Sequence, residues 1–201
     1  MELLLVRHGQ STWNAARRLQ GQVMDVPLTA AGRQQAQQAA REVARQVPAG
    51  TPVLTSDLLR ALQTAELVAQ PLGVVPVLTP LLREQALGSL EGKGIDELTA
   101  EPTPPGRHVT QVAWGGGESI EQVHRRCREL LGWLRQDFAD RRCVVLVSHG
   151  DLIRCLLNVL AGRGHREMEW PAVANGQLLR CPMVVPDVAD GRAPGGLSTD
   201  R

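Results

Sequence analysis

Aromatic residues make up only 2% of the sequence, with no tyrosine and one phenylalanine. Its core must therefore be assembled from Leu, Val and Ala, and base stacking on aromatic platforms is a poor basis for binding single-stranded nucleic acid. There is no long run of Lys or Arg and the formal net charge is +1, so a general attraction to DNA or to anionic membrane is not indicated. The purely apolar runs at residues 3–6 and 144–147 fall far short of the ~20 residues that cross a bilayer. The N-terminus does not read as a signal peptide, because Glu2 precedes the first apolar run and Arg7-His8 ends it. Four cysteines, Cys127, Cys143, Cys155 and Cys181, show no C-x-x-C spacing, which argues against zinc and dithiol motifs. They are expected to be small buried hydrophobes in a reducing cytoplasm.

With 201 residues, 43% of them hydrophobic, the chain is long enough for one domain with a sizeable core. Residues 3–6 read as a central parallel strand, apolar on both faces. Thr29 is a good N-cap for a helix over residues 30–47. A short strand is expected at 53–55, a helix opened by Asp57 and closed by Gly73, and a third strand at 74–78. Residues 81–117 are irregular and rich in Pro and Gly, and a stretch that long is usually functional. Ser119 then starts a helix to about Phe138, with Ile120, Val123, Cys127, Leu130, Leu131 and Leu134 at helical spacing. A strong strand at 143–147, a helix at 151–160 and an edge strand at 177–185 complete the pattern. Strands alternating with helices predict an α/β domain with a mostly parallel sheet over residues 1–186, and residues 187–201 read as a disordered tail.

Two strands carry the same ending. Residues 3–6 run into Arg7-His8-Gly9, and residues 144–147 run into Ser148-His149-Gly150. In a parallel sheet, ligands bind beyond the carboxyl ends of the strands. Two such strands would place both imidazoles in one crevice, with a glycine turn and a helix N-terminus expected after each.

At these residues the chain resembles the histidine phosphatase superfamily, in the branch that contains the phosphoglycerate mutases. The similarity runs through Leu5-Val6-Arg7-His8-Gly9-Gln10-Ser11-Thr12-Trp13-Asn14, through residues 56–65, through Leu82-Arg83-Glu84 to Gly92, through Gly117-Glu118-Ser119, and through Ser148-His149-Gly150 with Arg154. The resemblance implies a three-layer α/β/α, phosphoglycerate mutase-like fold and a phosphohistidine mechanism with His8 as nucleophile. Arg7 and Arg60 would clamp the phosphoryl oxygens. His149, as an imidazolium, would stabilise the developing charge. Asn14, Gln20, Gly21 and Gly150 are further phosphate-contact candidates, and Trp13 reads as core. Glu84 is favoured as the proton donor, and needs a raised pKa to act at neutral pH. Asp151 and Glu91 compete with it. The more distant acid phosphatases and phytases protonate with a His-Asp pair, but here Gly150 intervenes and Asp151 reads as a helix cap.

The expected reaction is hydrolysis of a small phosphorylated metabolite by a cytoplasmic enzyme, without metal or cofactor. The alternatives are a phosphoglycerate-type mutase and a non-catalytic phosphate-binding module. Cofactor-dependent mutases carry a longer, basic insertion where this chain has residues 94–117, whose strong cations are Arg107 and His108. That departure favours hydrolysis. Arg166, Glu167 and Trp170 are candidates for the rim that selects substrate. Neither nucleic acid nor membrane is expected as a partner, and a homodimer is left open.

Overall fold

The computed structural model describes residues 1–183. The expected tail at 187–201 and the last residues of the expected edge strand lie outside them. Five strands form one sheet in the order β3-β2-β4-β1-β5: β1 (Glu2–Arg7), β2 (Val53–Thr55), β3 (Val77–Leu78), β4 (Cys143–Ser148) and β5 (Leu178–Pro182). The first four run parallel, and β5 pairs antiparallel with β1. Helices α1 (Thr12–Ala15), α2 (Ala30–Gln46), α3 (Leu59–Ala69), α4 (Ile120–Asp137) and α5 (Gly150–Leu160) connect them.

The central strands are apolar throughout because both faces are covered. Leu3, Leu5, Val144 and Leu146 pack with Val123, Leu130, Leu134, Leu152 and Leu156 of α4 and α5. The alternate residues Leu4, Val6, Val145 and Val147 pack with Ala39, Val43, Ala61, Ala65 and Val68 of α2 and α3. The period-two alternation of strand side chains thus fills two different cores and yields the three layers. The small residues of α2 and α3 let these helices lie close on the sheet, which suits a sequence short of aromatics.

Local signals account for the helix starts. Thr29 accepts the Gly32 N–H at 3.0 Å, and Ser119 forms a reciprocal capping box with Gln122. Cys127 and Cys155 are buried, Cys143 and Cys181 half-buried, and all four are free thiols.

The structure corrects several expectations. α3 begins at Leu59, not Asp57, and its N-cap position carries no side-chain cap. Asp57 instead binds the guanidinium of Arg83 through both carboxylate oxygens. The third strand shrinks to two residues, because Pro76 has no N–H to give a ladder at the sheet edge. Trp13 belongs to neither core; it is half-buried beneath the Arg18 guanidinium, 4.7 Å from its ring centroid. The irregular stretch is a chain of 3₁₀ turns held by distant side chains. Among the described residues no helix is long and apolar enough to cross a membrane.

Candidate active site

Neighbouring β1 and β4 align Arg7 with Ser148, so each chain emerges from the same end of the sheet. The His8 N–H still extends the ladder, donating to Ser148 O at 2.9 Å. The two imidazoles meet with ring centroids 5.0 Å apart, His8 2% and His149 0% exposed. The crevice expected from the echoed strand endings is therefore present.

The turns after the two histidines differ from each other. His8-Gly9 leads only to α1, a single turn capped by Ser11. Gly9 has no left-handed backbone, so a sharp turn does not explain it. A Cβ there would lie 2.1 Å from the Gly32 carbonyl oxygen of α2; this position demands close backbone packing. After His149, α5 begins at once at Gly150, and its N–H groups face the site. A Cβ on Gly150 would press on the Arg154 guanidinium at 3.2 Å and meet Arg7 Cζ at an ordinary contact distance of 3.5 Å.

The hydrogen bonds assign tautomers. His8 Nδ1 lies 2.7 Å from Gly9 O, and a carbonyl can only accept, so Nδ1 bears the proton and Nε2 presents a lone pair. His149 Nε2 lies 2.9 Å from Ser56 Oγ, which already accepts the Leu58 N–H. With Ser56 donating its hydroxyl proton to Nε2, His149 Nδ1 is the N–H. Burial, then Arg60 and Arg7, holds His8 well below its ordinary value, and burial, Arg60 and His8 do the same to His149. Both rings are thus neutral near pH 7. By itself this surrounding holds His149 as a neutral N–H donor, and a phosphoryl dianion beside it would favour the imidazolium expected from the resemblance.

Arg60 is a fully buried side chain. It donates from Nη2 to Gly21 O at 2.7 Å and from Nη1 to Val23 O at 3.0 Å. Arg7 donates from Nη1 to Val173 O at 2.5 Å. Burial lowers the Arg60 pKa to about 10, which leaves it charged at neutral pH. Among the described residues, the buried side-chain nitrogens and oxygens without a hydrogen-bond partner are Arg7 Nε, Arg60 Nε and His149 Nδ1. Orphaned buried donors are costly, ~1–3 kcal/mol each and more when charged. That all of them belong to this one site marks it as built for an anion.

Glu84 is half-buried at the N-terminus of α5. Its Oε1 accepts N–H bonds from Gln85 at 3.0 Å, Asp151 at 3.1 Å and Leu152 at 3.2 Å. Oε2 has only a longer approach from Asp151 N at 3.3 Å, so it is the oxygen free to carry a proton. Burial, then the Asp151 carboxylate, raises the pKa of Glu84 against the pull of these N–H groups and Arg60. Its rivals are otherwise engaged. Asp151 is no N-cap; it lies in the first turn of α5 and pairs with Arg154 at 2.7 Å. Glu91 Oε1 accepts the N–H groups of Gln22 and Leu87.

The weaker candidates have structural duties. Asn14 Oδ1 caps α1 by accepting the Ser11 N–H at 3.1 Å, Gln20 Oε1 accepts the Ser11 hydroxyl at 2.7 Å, and Gly21 presents its carbonyl to Arg60. Several contributors had no individual signal in the sequence. Ser56 fixes His149, and Thr64 Oγ1 accepts the Gly9 N–H at 3.2 Å. Asn175 donates to His8 O at 3.1 Å and to Asn14 Oδ1 at 3.2 Å. Arg126, paired with Glu118, donates to the carbonyls of Leu81, Arg83 and Glu84. Ser56 opens the family-like segment 56–65 and is legible as a hydroxyl at a strand end; Asn175 and Arg126 act only through long-range contacts.

Such a site can accept a phosphoryl group on His8 Nε2, hold its oxygens by two guanidinium groups and an imidazole N–H, and deliver a proton from Glu84. The model of the histidine phosphatase superfamily (branch 1) matches residues 3–182. The probable phosphoglycerate mutase GpmB of Photorhabdus laumondii is 40% identical over 166 residues, covering 81% of this chain and 75% of that protein. The mycobacterial glucosyl-3-phosphoglycerate phosphatase, in its complex with VO3, superposes with TM-score 0.75 at 32% identity, covering 89% of this chain and 90% of the other. A putative alpha-ribazole-5'-P phosphatase from Escherichia coli gives TM-score 0.76 at 26% identity, over 90% and 89% of the two chains. With this match over most of its length, the chain belongs to the histidine phosphatase superfamily, branch 1.

Proposed function

We propose that the protein is a phosphomonoesterase acting on a small phosphorylated metabolite through a phosphohistidine on His8. Support comes foremost from the three orphaned donors, Arg7 Nε, Arg60 Nε and His149 Nδ1, gathered around a histidine whose tautomer leaves Nε2 unprotonated. In the first step Nε2 bonds to phosphorus, the P–O bond to the alcohol breaks, and the proton on Glu84 Oε2 passes to the departing alkoxide. In the second, Glu84 takes a proton from water, the water oxygen bonds to phosphorus, and the N–P bond breaks to release phosphate and restore His8. The guanidinium groups and the His149 N–H are in place before the charge develops, so little reorganisation is needed.

The name of the relative called a probable phosphoglycerate mutase favours a second reading, in which the same phosphohistidine passes its group to another hydroxyl. The two readings separate on one assay. With 3-phosphoglycerate and a bisphosphoglycerate primer, the phosphatase reading expects phosphate release to outrun isomerisation, and isomerisation faster than release would sink it. His8→Ala should lower hydrolysis of p-nitrophenyl phosphate by ~10³-fold or more and abolish an alkali-stable, acid-labile phosphoenzyme in rapid-quench labelling. Retention of the wild-type rate would remove His8 from the mechanism.

A further inference from the structure

A cavity of about 340 Å³ opens beside the candidate acid, at the low end of the ~300–1,000 Å³ typical of small-molecule sites. Its walls include Leu87, Leu98, Val109, Trp114 and Trp170, with Asp151 at one side. The cavity adjoins the seat of Glu84, since Gln85 and Asp151, whose N–H groups hold that carboxylate, also line the cavity. It is therefore the apolar space next to the residue that would protonate a leaving group. Val109 and Trp170 are each 51% exposed, so large apolar surface stands open at the rim.

The charges in the wall decide what the cavity rejects. Among the described residues no Lys, Arg or His lines it, and the one charged residue of the described lining, Asp151, is an anion already paired with Arg154. Neither strong cation of the 94–117 insertion reaches in. Arg107 is exposed and outside the lining, and His108 Nδ1 is engaged by Thr110 Oγ1 at 2.8 Å. Of the rim candidates, Trp170 lines the cavity, whereas Arg166 and Glu167 do not. A carboxylate on the leaving group would lose its hydration here without gaining a cation, and an apolar ring would exchange water for Leu, Val and Trp surface.

Resting on the phosphomonoesterase reading, we infer that this cavity holds the leaving group and that the preferred substrates are monoesters of alcohols bearing an uncharged apolar ring or chain, not phosphoglycerates. The test compares alkyl esters of similar intrinsic reactivity: ethyl phosphate, 2-phenylethyl phosphate and 3-phosphoglycerate. The wild-type kcat/KM for 2-phenylethyl phosphate should exceed that for 3-phosphoglycerate by at least ~10-fold. Val109→Lys, a change at a half-exposed wall position, should lower 2-phenylethyl phosphate hydrolysis several-fold and raise 3-phosphoglycerate hydrolysis, with ethyl phosphate, too short to reach the wall, unchanged. A wild-type preference for 3-phosphoglycerate, or a Val109→Lys effect equal on all three esters, overturns the inference and leaves the phosphohistidine reading intact. If no ester is hydrolysed and His8 takes no label from any of them, the catalytic reading falls and this inference falls with it.

Discussion

His8 and Glu84 are tuned in opposite directions by the same burial. A buried imidazole resists protonation and a buried carboxyl resists ionisation, so the crevice delivers a free lone pair and a held proton at one pH. The signs fix the pH profile. Activity requires neutral His8, so it falls on the acid side as pH drops through a value well below 6.5. It requires protonated Glu84 for the first step, so it falls on the basic side as pH rises through a value above the ordinary 4.5. Glu84→Gln should flatten the basic limb of kcat/KM and slow alkyl phosphates by ~10²–10⁴-fold, with p-nitrophenyl phosphate, whose phenolate needs little protonation, affected far less. An equal loss on both esters, with the basic limb retained, would reassign the acid. The sequence shows these residues well: Arg7, His8, Arg60, Glu84 and His149 all converge. It does not show what holds them, because the Ser56 and Asn175 contacts join residues 93 and 167 positions apart.

Helices with caps and strands with two apolar faces could be read from local pattern, and α2, α4, β1 and β4 fall where their residues place them. The strap between β3 and α4 could not. Its course is set by Arg126 of α4, which donates to Leu81 O at 3.1 Å, Arg83 O at 2.6 Å and Glu84 O at 3.1 Å while pairing with Glu118 at 2.7 Å. Glu118 Oε2 in turn accepts the Ala86 N–H at 3.0 Å. On an amphipathic helix, one arginine among several carries no sign of such a duty, and α1 is too short for any periodicity. The hub predicts a positioning effect. Arg126→Ala strips Leu81 O and Arg83 O of their donor, leaves Glu84 O with Gln22 Nε2 at 3.0 Å, and leaves a mostly buried carboxylate without its cation, a loss on the order of 3 kcal/mol. Because it loosens Glu84 without touching the anion cradle, kcat should fall more than KM rises, and the basic limb should shift toward the ordinary carboxylate range. A fall in stability with kcat and pH profile unchanged would show that the strap holds Glu84 without Arg126.

The sheet order places β4 and β1 side by side at the centre of the molecule, so both histidines are surrounded by both core layers and the folded protein carries the cost of that placement. The cost depends on pH. An unfolded chain protonates each histidine near 6.5, and the folded chain does so only well below it. Below 6.5 the unfolded state therefore binds more protons, and stability present above that pH is lost as pH falls. At 1.36 kcal/mol per unit and site, the two together remove at most about 2.7 kcal/mol per pH unit. Glu84 acts in the opposite sense: its raised value makes a contribution that is full below 4.5 and lost as pH rises through the folded value, so it offsets part of the histidine slope on the acid side. For a chain of this size ~1 kcal/mol moves Tm by ~2–4 °C, so Tm should drop by ~5–10 °C at most between pH 6.5 and 5.5. Thermal melts of wild type and of a His8→Gln/His149→Gln double variant at pH 7.5, 6.5 and 5.5 check this. The wild-type curve should bend downward below pH 6.5 and the variant's should stay flatter. Parallel curves would mean that the fold accommodates the protonated rings, and the assignment of both histidines as neutral in the resting site would have to be abandoned.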